Sequence, residues 1–99
     1  MQKLKTAKQM ERHFKGMANH HRIEILLLIG DENGICLEEI VDRLKANFKT
    51  ISQHTRCLVQ AGLVQKNYKG RRVAHSLSPY GRIFTKFIRE FRKVSSTTF

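Results

Sequence analysis

The sequence is poor in cysteine, in proline and in long apolar runs. Cys36 and Cys57 are too few for a disulfide framework and no signal-peptide pattern opens the chain, so we expect reduced thiols and a cytoplasmic location. The longest apolar run, residues 25–29, is far shorter than the roughly 20 residues that cross a bilayer, which predicts no membrane association. No repeat, low-complexity stretch or Pro/Gly-rich linker interrupts residues 1–99, and we expect a single domain.

Acidic residues are scarce as well. The chain has 19 Lys+Arg against 8 Asp+Glu, a net charge of +11 and a pI of about 10.3. An excess of this size on a small folded protein favours a polyanion, usually nucleic acid, as the partner.

The motifs of common catalytic sites are missing. The sequence has no Gly-rich phosphate loop, no Ser/His/Asp or Cys/His arrangement in a recognisable context and no pair of histidines at metal-binding spacing. We therefore expect no enzymatic activity and no cofactor.

Apolar spacing predicts three helices in the first half of the chain. Residues 4–18 form an amphipathic first helix, and residues 20–29 form a second helix that is apolar nearly all round and should lie at the centre. Asn19 is the predicted N-cap of the second helix. Ile35 and Cys36 fit a short strand, and a third helix begins near Leu37.

The fourth helix, about residues 47–61, follows a tight turn at residues 45–47 and ends before Gly62. At about 100° per residue its apolar side chains fall on one side and its polar ones opposite. The apolar side has Phe48, Ile51, Thr55 and Leu58, and the polar side has Lys49, Gln53, Arg56 and Gln60. His54 lies toward the apolar side and is predicted to pack or to form a hydrogen bond.

A β-hairpin and a last helix complete the chain. Strand-like residues 63–68 and 72–77 flank a basic turn, and Ser78 with Pro79 has the pattern of an N-cap followed by the first helical residue. The last helix has an apolar stripe of Tyr80, Ile83, Phe84, Phe87, Ile88 and Phe91, which Val94 could extend. A stripe of this size is more than a 99-residue monomer easily covers and usually marks an interface, although it could instead pack on the second helix. Residues 95–99 should fray.

Three short segments resemble those of ArsR-type repressors. Residues 51–54, Ile-Ser-Gln-His, and residues 61–64, Ala-Gly-Leu-Val, are similar to that family's V-S-Q-H-L and A-G-L-V signature, and residues 17–26 are similar to its opening L-A-D-P-T-R-L-x-I-L. The resemblance runs from about residue 15 to residue 77. Residues 77–82 instead resemble the L-T-x-x-G step of MarR-like regulators. Both resemblances imply a winged helix-turn-helix, mainly α, with five helices and a two-stranded wing.

The resemblance also implies a function. It implies a homodimeric, sequence-specific regulator of transcription that acts as a repressor on double-stranded DNA. The fourth helix would lie in the major groove, and the wing, about residues 65–77, would lie on the backbone or in the minor groove. The DNA-binding residues that it implies are Lys49, Thr50, Ser52, Gln53, Arg56, Lys69, Arg71 and Arg72. Residues 1–18 and 79–94 would form the dimer interface, through Leu4, Met10, Phe14, Ile83, Phe84, Phe87, Ile88 and Phe91.

The cysteine and histidine positions bear on whether the protein senses a signal. Metal sensing is not expected, because Cys36 is followed by Glu38 where the family has a second cysteine, residues 79–93 contain neither His nor Asp, and the adjacent His20 and His21 should point about 100° apart. A thiol switch through Cys36 or Cys57 stays open. The alternative to a regulator is a winged helix that binds nucleic acid without sequence preference, binds RNA or binds a protein.

Overall fold

The computed structural model describes residues 3–94 and confirms the predicted architecture of five helices and a two-stranded wing. The elements, in chain order, are α1 (Ala7–Met17), α2 (His20–Asp31), α3 (Leu37–Leu44), α4 (Phe48–Gln60), β1 (Val64–Lys69), β2 (Arg72–Leu77) and α5 (Pro79–Phe91). Within this part of the chain, no helix is long and apolar enough to span a membrane. The predicted fraying of residues 95–99 concerns residues outside the described range.

Helix α1 begins three residues later than predicted, because Thr6 caps it. The Thr6 hydroxyl accepts a hydrogen bond from the Gln9 backbone N–H (3.2 Å), and the Gln9 side chain accepts one from the Thr6 backbone N–H (2.9 Å). This reciprocal pair satisfies two N–H groups that a helix start would leave free. The prediction that the helix includes Leu4 was therefore wrong, and Leu4 lies exposed before the cap.

Helix α2 lies at the centre of the fold, as predicted. Asn19 caps it by accepting hydrogen bonds from the backbone N–H groups of His21 (2.9 Å) and Arg22 (3.3 Å). Ile25, Leu26 and Ile29 are fully buried and pack with apolar residues from α3, α4 and the start of β1. The helix runs to Asp31, two residues beyond the predicted end.

The turn between α3 and α4 fixes the direction of α4. Lys45 adopts the left-handed conformation (φ 49°), and the Asn47 side chain then accepts hydrogen bonds from the N–H groups of Lys49 (2.8 Å) and Thr50 (3.2 Å). At the other end Gly62, with φ 77°, follows the C-cap Ala61. Both ends of the helix confirm the predicted helix-turn-helix.

Strands β1 and β2 form an antiparallel hairpin in register from Val64 opposite Leu77 to Lys69 opposite Arg72. Gly70, with φ 65°, is the first residue of its two-residue loop, a position that favours glycine. The predicted strand at residues 35–36 is a single bridge, in which Ile35 pairs with His75.

The end of α4 and the start of α5 meet at one backbone junction. The Ser78 N–H donates to the Leu63 carbonyl oxygen (3.0 Å), and its hydroxyl donates to the Gly62 carbonyl oxygen (2.6 Å) while accepting from the Gly81 N–H (3.0 Å). A Cβ atom on Gly81 would collide with the Leu63 carbonyl. Ser78 is therefore the predicted N-cap of α5 and also a direct link between α5 and the residues that follow α4.

Candidate nucleic-acid interface

Helix α4 presents one face to the core and one to solvent. Ile51, Thr55 and Leu58 are buried, as the angular analysis predicted. Four of the predicted DNA-binding side chains lie together on the outer face and line a shallow concavity of about 320 Å³: Lys49, Ser52, Gln53 and Arg56. Thr50 does not line this concavity and is half-buried, so the structure separates it from the other four.

Phe48 is on the outer face, which corrects the sequence analysis. It was predicted on the apolar side with Ile51, but its side chain is 52% exposed and lines the same concavity as Lys49 and Gln53. Phe48 is the first residue of α4 and is not part of the core in which Ile51 and Leu58 are buried. Angular position alone could not reveal this, because coverage depends on where along the helix its neighbours stop.

The charge around this face has one sign. From residue 43 to residue 89 the sequence contains 11 Lys and Arg and no Asp or Glu. This segment includes all of α4, the wing and most of α5. No carboxylate within it opposes a polyanion, and the acid-free run is a sequence signal that the total net charge conceals.

The three wing residues that were predicted to bind DNA lie in two different environments. Lys69 and Arg71 are exposed at the tip, where a nucleic-acid backbone could reach them. Arg72 instead donates to the Glu39 carboxylate (2.8 Å) and to the Gly34 carbonyl oxygen (3.0 Å). Arg72 thus ties the wing to α3, a contact that the sequence analysis did not predict.

Glu39 is held ionised by the same cluster. Its carboxylate accepts a hydrogen bond from the Cys36 backbone N–H (2.9 Å) at the start of α3, and this bond, the Cys36 side chain and Arg72 together lower the pKa of Glu39 to about 2. The pair therefore stays charged at any pH at which the protein would meet DNA.

His54 on α4 packs against side chains at the start of α2, where a cluster of three histidines forms. The Arg22 side chain donates from Nε to His54 Nδ1 (3.2 Å) and from Nη1 to the carbonyl oxygens of Lys15 and Gly16, both at 3.2 Å. The His21 ring stacks on His54 with centroids 5.0 Å apart. The predicted packing role of His54 is confirmed.

The same cluster corrects the prediction that His20 and His21 point apart. Their ring centroids are 4.1 Å apart, because the two residues begin α2 and their side chains can turn toward each other there. Burial lowers the pKa of His54, and the nearby charges of Arg22, His21 and His20 lower it further.

Within residues 3–94, no three His, Cys, Asp or Glu side chains are placed to share a metal ion. Cys36 and Cys57 are both half-buried free thiols.

A second outer surface, formed by α1 and α5, is apolar. Ile83, Phe87 and Phe91 on α5 are 63%, 56% and 67% exposed, and Phe14 on α1 is 51% exposed. The Phe14 and Phe84 rings lie 5.2 Å apart and make the two helices one continuous face. We call Met10, Phe14, Ile83, Phe84, Phe87 and Phe91 the α1/α5 apolar face.

Ile88 does not belong to this face. It was predicted at the dimer interface, but it is only 8% exposed and packs in the core of its own chain. The position one turn after Phe84 faces inward, toward α2, while Phe87 and Phe91 face outward with their rings 5.8 Å apart. The predicted stripe is therefore divided between two surfaces.

Comparisons with known proteins agree on the fold. Residues 19–66 match the model of the family described as bacterial regulatory protein, arsR family. The HTH-type transcriptional regulator MJ1325 of Methanocaldococcus jannaschii is 35% identical over 57 residues, which are 58% of this chain and 64% of that protein. The chain thus spans somewhat less than two thirds of that relative.

Two solved structures are similar over most of the chain. HlyU from Vibrio cholerae is 26% identical with a TM-score of 0.79, over 90% of this chain and 97% of that one. The homodimeric winged helix-turn-helix DNA-binding domain Mb0332 from Mycobacterium bovis is 25% identical with a TM-score of 0.76, over 87% of this chain and 81% of that one. The matched family is thus one of bacterial regulatory proteins, and the Mb0332 domain is described as part of a possible ArsR-family transcriptional regulator.

Proposed function

We propose that the protein is a homodimeric transcriptional repressor that binds duplex DNA sequence-specifically. Its residues 19–66 match the arsR family of bacterial regulatory proteins. The observation that carries this proposal is the outer face of α4. It brings Lys49, Ser52, Gln53 and Arg56 together on a projecting helix, within a segment that has no acidic residue. Such a function would place the protein in the cytoplasm.

The chemistry of this face suits the major groove. The groove is about 12 Å wide and admits a helix, and its base edges offer donors and acceptors that distinguish all four base pairs. The Gln53 amide can donate to and accept from one adenine, while Arg56 or Lys49 can donate to guanine or to a phosphate. Lys69 and Arg71 at the wing tip would contact the flanking backbone or the minor groove.

The α1/α5 apolar face supports a homodimer. Three large side chains of α5, at 63%, 56% and 67% exposure, form more apolar surface than a monomer usually leaves in water. The Mb0332 domain, which shares the fold over 87% of this chain, is a homodimer. Two copies related by a two-fold axis would present two α4 helices to half-sites about one helical turn apart.

Selection of bound duplexes from a random DNA pool tests this proposal. It should be run at about 150 mM salt, where phosphate contacts alone bind weakly. We expect an enriched inverted repeat, and a folded dimeric protein that enriches nothing would contradict sequence-specific regulation. Strong salt dependence without preference would instead support the general nucleic-acid binder. Repression is then tested by placing the selected site between a promoter and a reporter gene and measuring transcription with and without the protein.

A further inference from the structure

We infer that Phe48 is a specificity-determining residue that contacts the 5-methyl group of a thymine in the major groove, an inference that rests on the proposed function. Phe48 is a large aromatic residue, 52% exposed, at the first position of α4. It shares one concavity with Lys49, Ser52, Gln53 and Arg56, so whatever binds these polar groups also meets the ring.

The position of the ring agrees with base contact. A recognition helix reads base edges mainly with its N-terminal residues. At about 100° and 1.5 Å per residue, Phe48 lies about 40° from Ser52 around the helix, and it lies about 140° from Gln53 around the helix and about 7.5 Å before it along the axis. That distance corresponds to about two base-pair steps, so the thymine should lie within two or three base pairs of the base that Gln53 reads.

The chemistry of the ring leaves one kind of base contact. Phenylalanine has no hydrogen-bond donor or acceptor, and the thymine methyl group is the one apolar feature on the base edges of the major groove. The surrounding charge selects for nucleic acid over an apolar protein partner, because Lys49 and Arg56 border the ring and no acidic residue occurs between residues 43 and 89. A purely apolar partner would have to remove water from both cations.

Replacement of thymine by uracil tests the contact directly, since it removes only the methyl group. In the selected duplex each thymine is replaced in turn, and the Kd is measured for the wild type, Phe48→Ala and the matched control Phe48→Leu. We expect the wild-type Kd to rise about fourfold for each half-site in which the contacted thymine is replaced, and the contacted thymines of the two half-sites should be related by the symmetry of the operator. Phe48→Ala should bind thymine and uracil duplexes equally at that pair, whereas Phe48→Leu should keep most of the discrimination.

The outcomes separate the two proposals. If a selected site exists but no thymine is coupled to Phe48, or if Phe48→Ala weakens all duplexes equally, this inference is overturned and the regulator proposal stands. If Phe48→Ala leaves DNA binding intact but abolishes binding to another protein, the ring belongs to a protein interface and the inference again fails. Absence of any selected site would overturn both proposals. Circular dichroism should show that both variants retain the wild-type fold, because Phe48 lies outside the core.

Discussion

Helices α2 and α5 are both rich in large apolar residues, but the fold uses them in opposite ways. The large side chains of α2 meet α4, β2 and α5, and Ile25, Leu26 and Ile29 are fully buried. The stripe of α5 contributes Ile88 to the same core and leaves Phe87 and Phe91 in water. The core is thus already complete within one chain, so the outer part of α5 adds little to the stability of a monomer and is available to a second copy.

Removal of a side chain from α2 should have the largest effect. We expect Leu26→Ala to lower the free energy of unfolding by about 3–5 kcal/mol, because it leaves a cavity where no neighbour can collapse fully. The matched change on α5, Phe91→Ala, should cost less than about 1 kcal/mol when measured on the dissociated monomer. Urea denaturation of both variants provides the measurement, and equal losses would show that α5 is part of the monomer core after all.

A charge on the outer part of α5 should separate the subunits without unfolding them. Phe87→Glu would bury a carboxylate against apolar side chains at the proposed interface, and we expect the dimer dissociation constant to rise about a hundredfold. Sedimentation equilibrium measures it. Lys86→Glu is the control, since it places the same charge on the adjacent exposed position outside the apolar face. If Phe87→Glu leaves the dimer dissociation constant unchanged, the interface does not include this part of α5.

Substitutions on the exposed face of α4 and on the wing should affect DNA binding in two different ways. Gln53→Ala should reduce discrimination at one base position by about 1–3 kcal/mol while stability is unchanged. Arg71→Ala, on the wing, should weaken all duplexes similarly and reduce the dependence of affinity on salt. Titration of selected and scrambled duplexes at several salt concentrations distinguishes the two, and identical uniform losses would rule out base contact by Gln53.

The smallest effect should be the contribution of His54, which lies between α2 and α4, to the pH dependence of Tm. The pKa of His54 is lowered in the folded chain, mainly by burial, so the unfolded chain binds its proton more readily. The stability that neutral His54 contributes is present above its unfolded pKa of about 6.5 and is lost as the pH falls through the lower folded value. We therefore expect Tm to fall from pH 7 to pH 5, and to fall less steeply in His54→Gln. The pKa of buried His75 is also lowered by desolvation and should leave a residual slope in that variant. An unchanged slope would show that His54 is not responsible.

The sequence was sufficient for the fold because its local signals agree with one another. Asn19, Asn47 and Ser78 each occupy the predicted cap, and Gly62 and Gly70 adopt the positive φ angles that the predicted turns require. Each of these features depends on neighbours only a few residues away. The wing, the helix-turn-helix and the central position of α2 follow from them and from apolar periodicity.

Two errors are local, at the Thr6 cap of α1 and at the adjacent His20 and His21, and the others concern contacts between residues that are distant in sequence. Phe48 was assigned to the wrong face, since the angle around a helix does not tell how far the neighbouring element extends. Ile88 was assigned to the interface, since an apolar stripe does not tell which of its side chains pack in the core of their own chain. Arg72 reaches Glu39, which is 33 residues away, and no local pattern predicts that pair. Within the candidate site, the residue types of α4 could be predicted from the sequence, but the separation of Thr50 from Lys49 and Gln53 depends on the three-dimensional structure.

The hydrogen bonds of Ser78 have a mechanical consequence. They join the start of α5 to the carbonyl groups of Gly62 and Leu63, which directly follow α4, so the start of α5 is fixed relative to the end of α4. In a homodimer the angle at which the paired α5 helices cross would then set the distance between the two α4 helices. The half-site spacing of the operator would record that angle, and a signal that altered the crossing would release DNA without touching any residue of the reading surface.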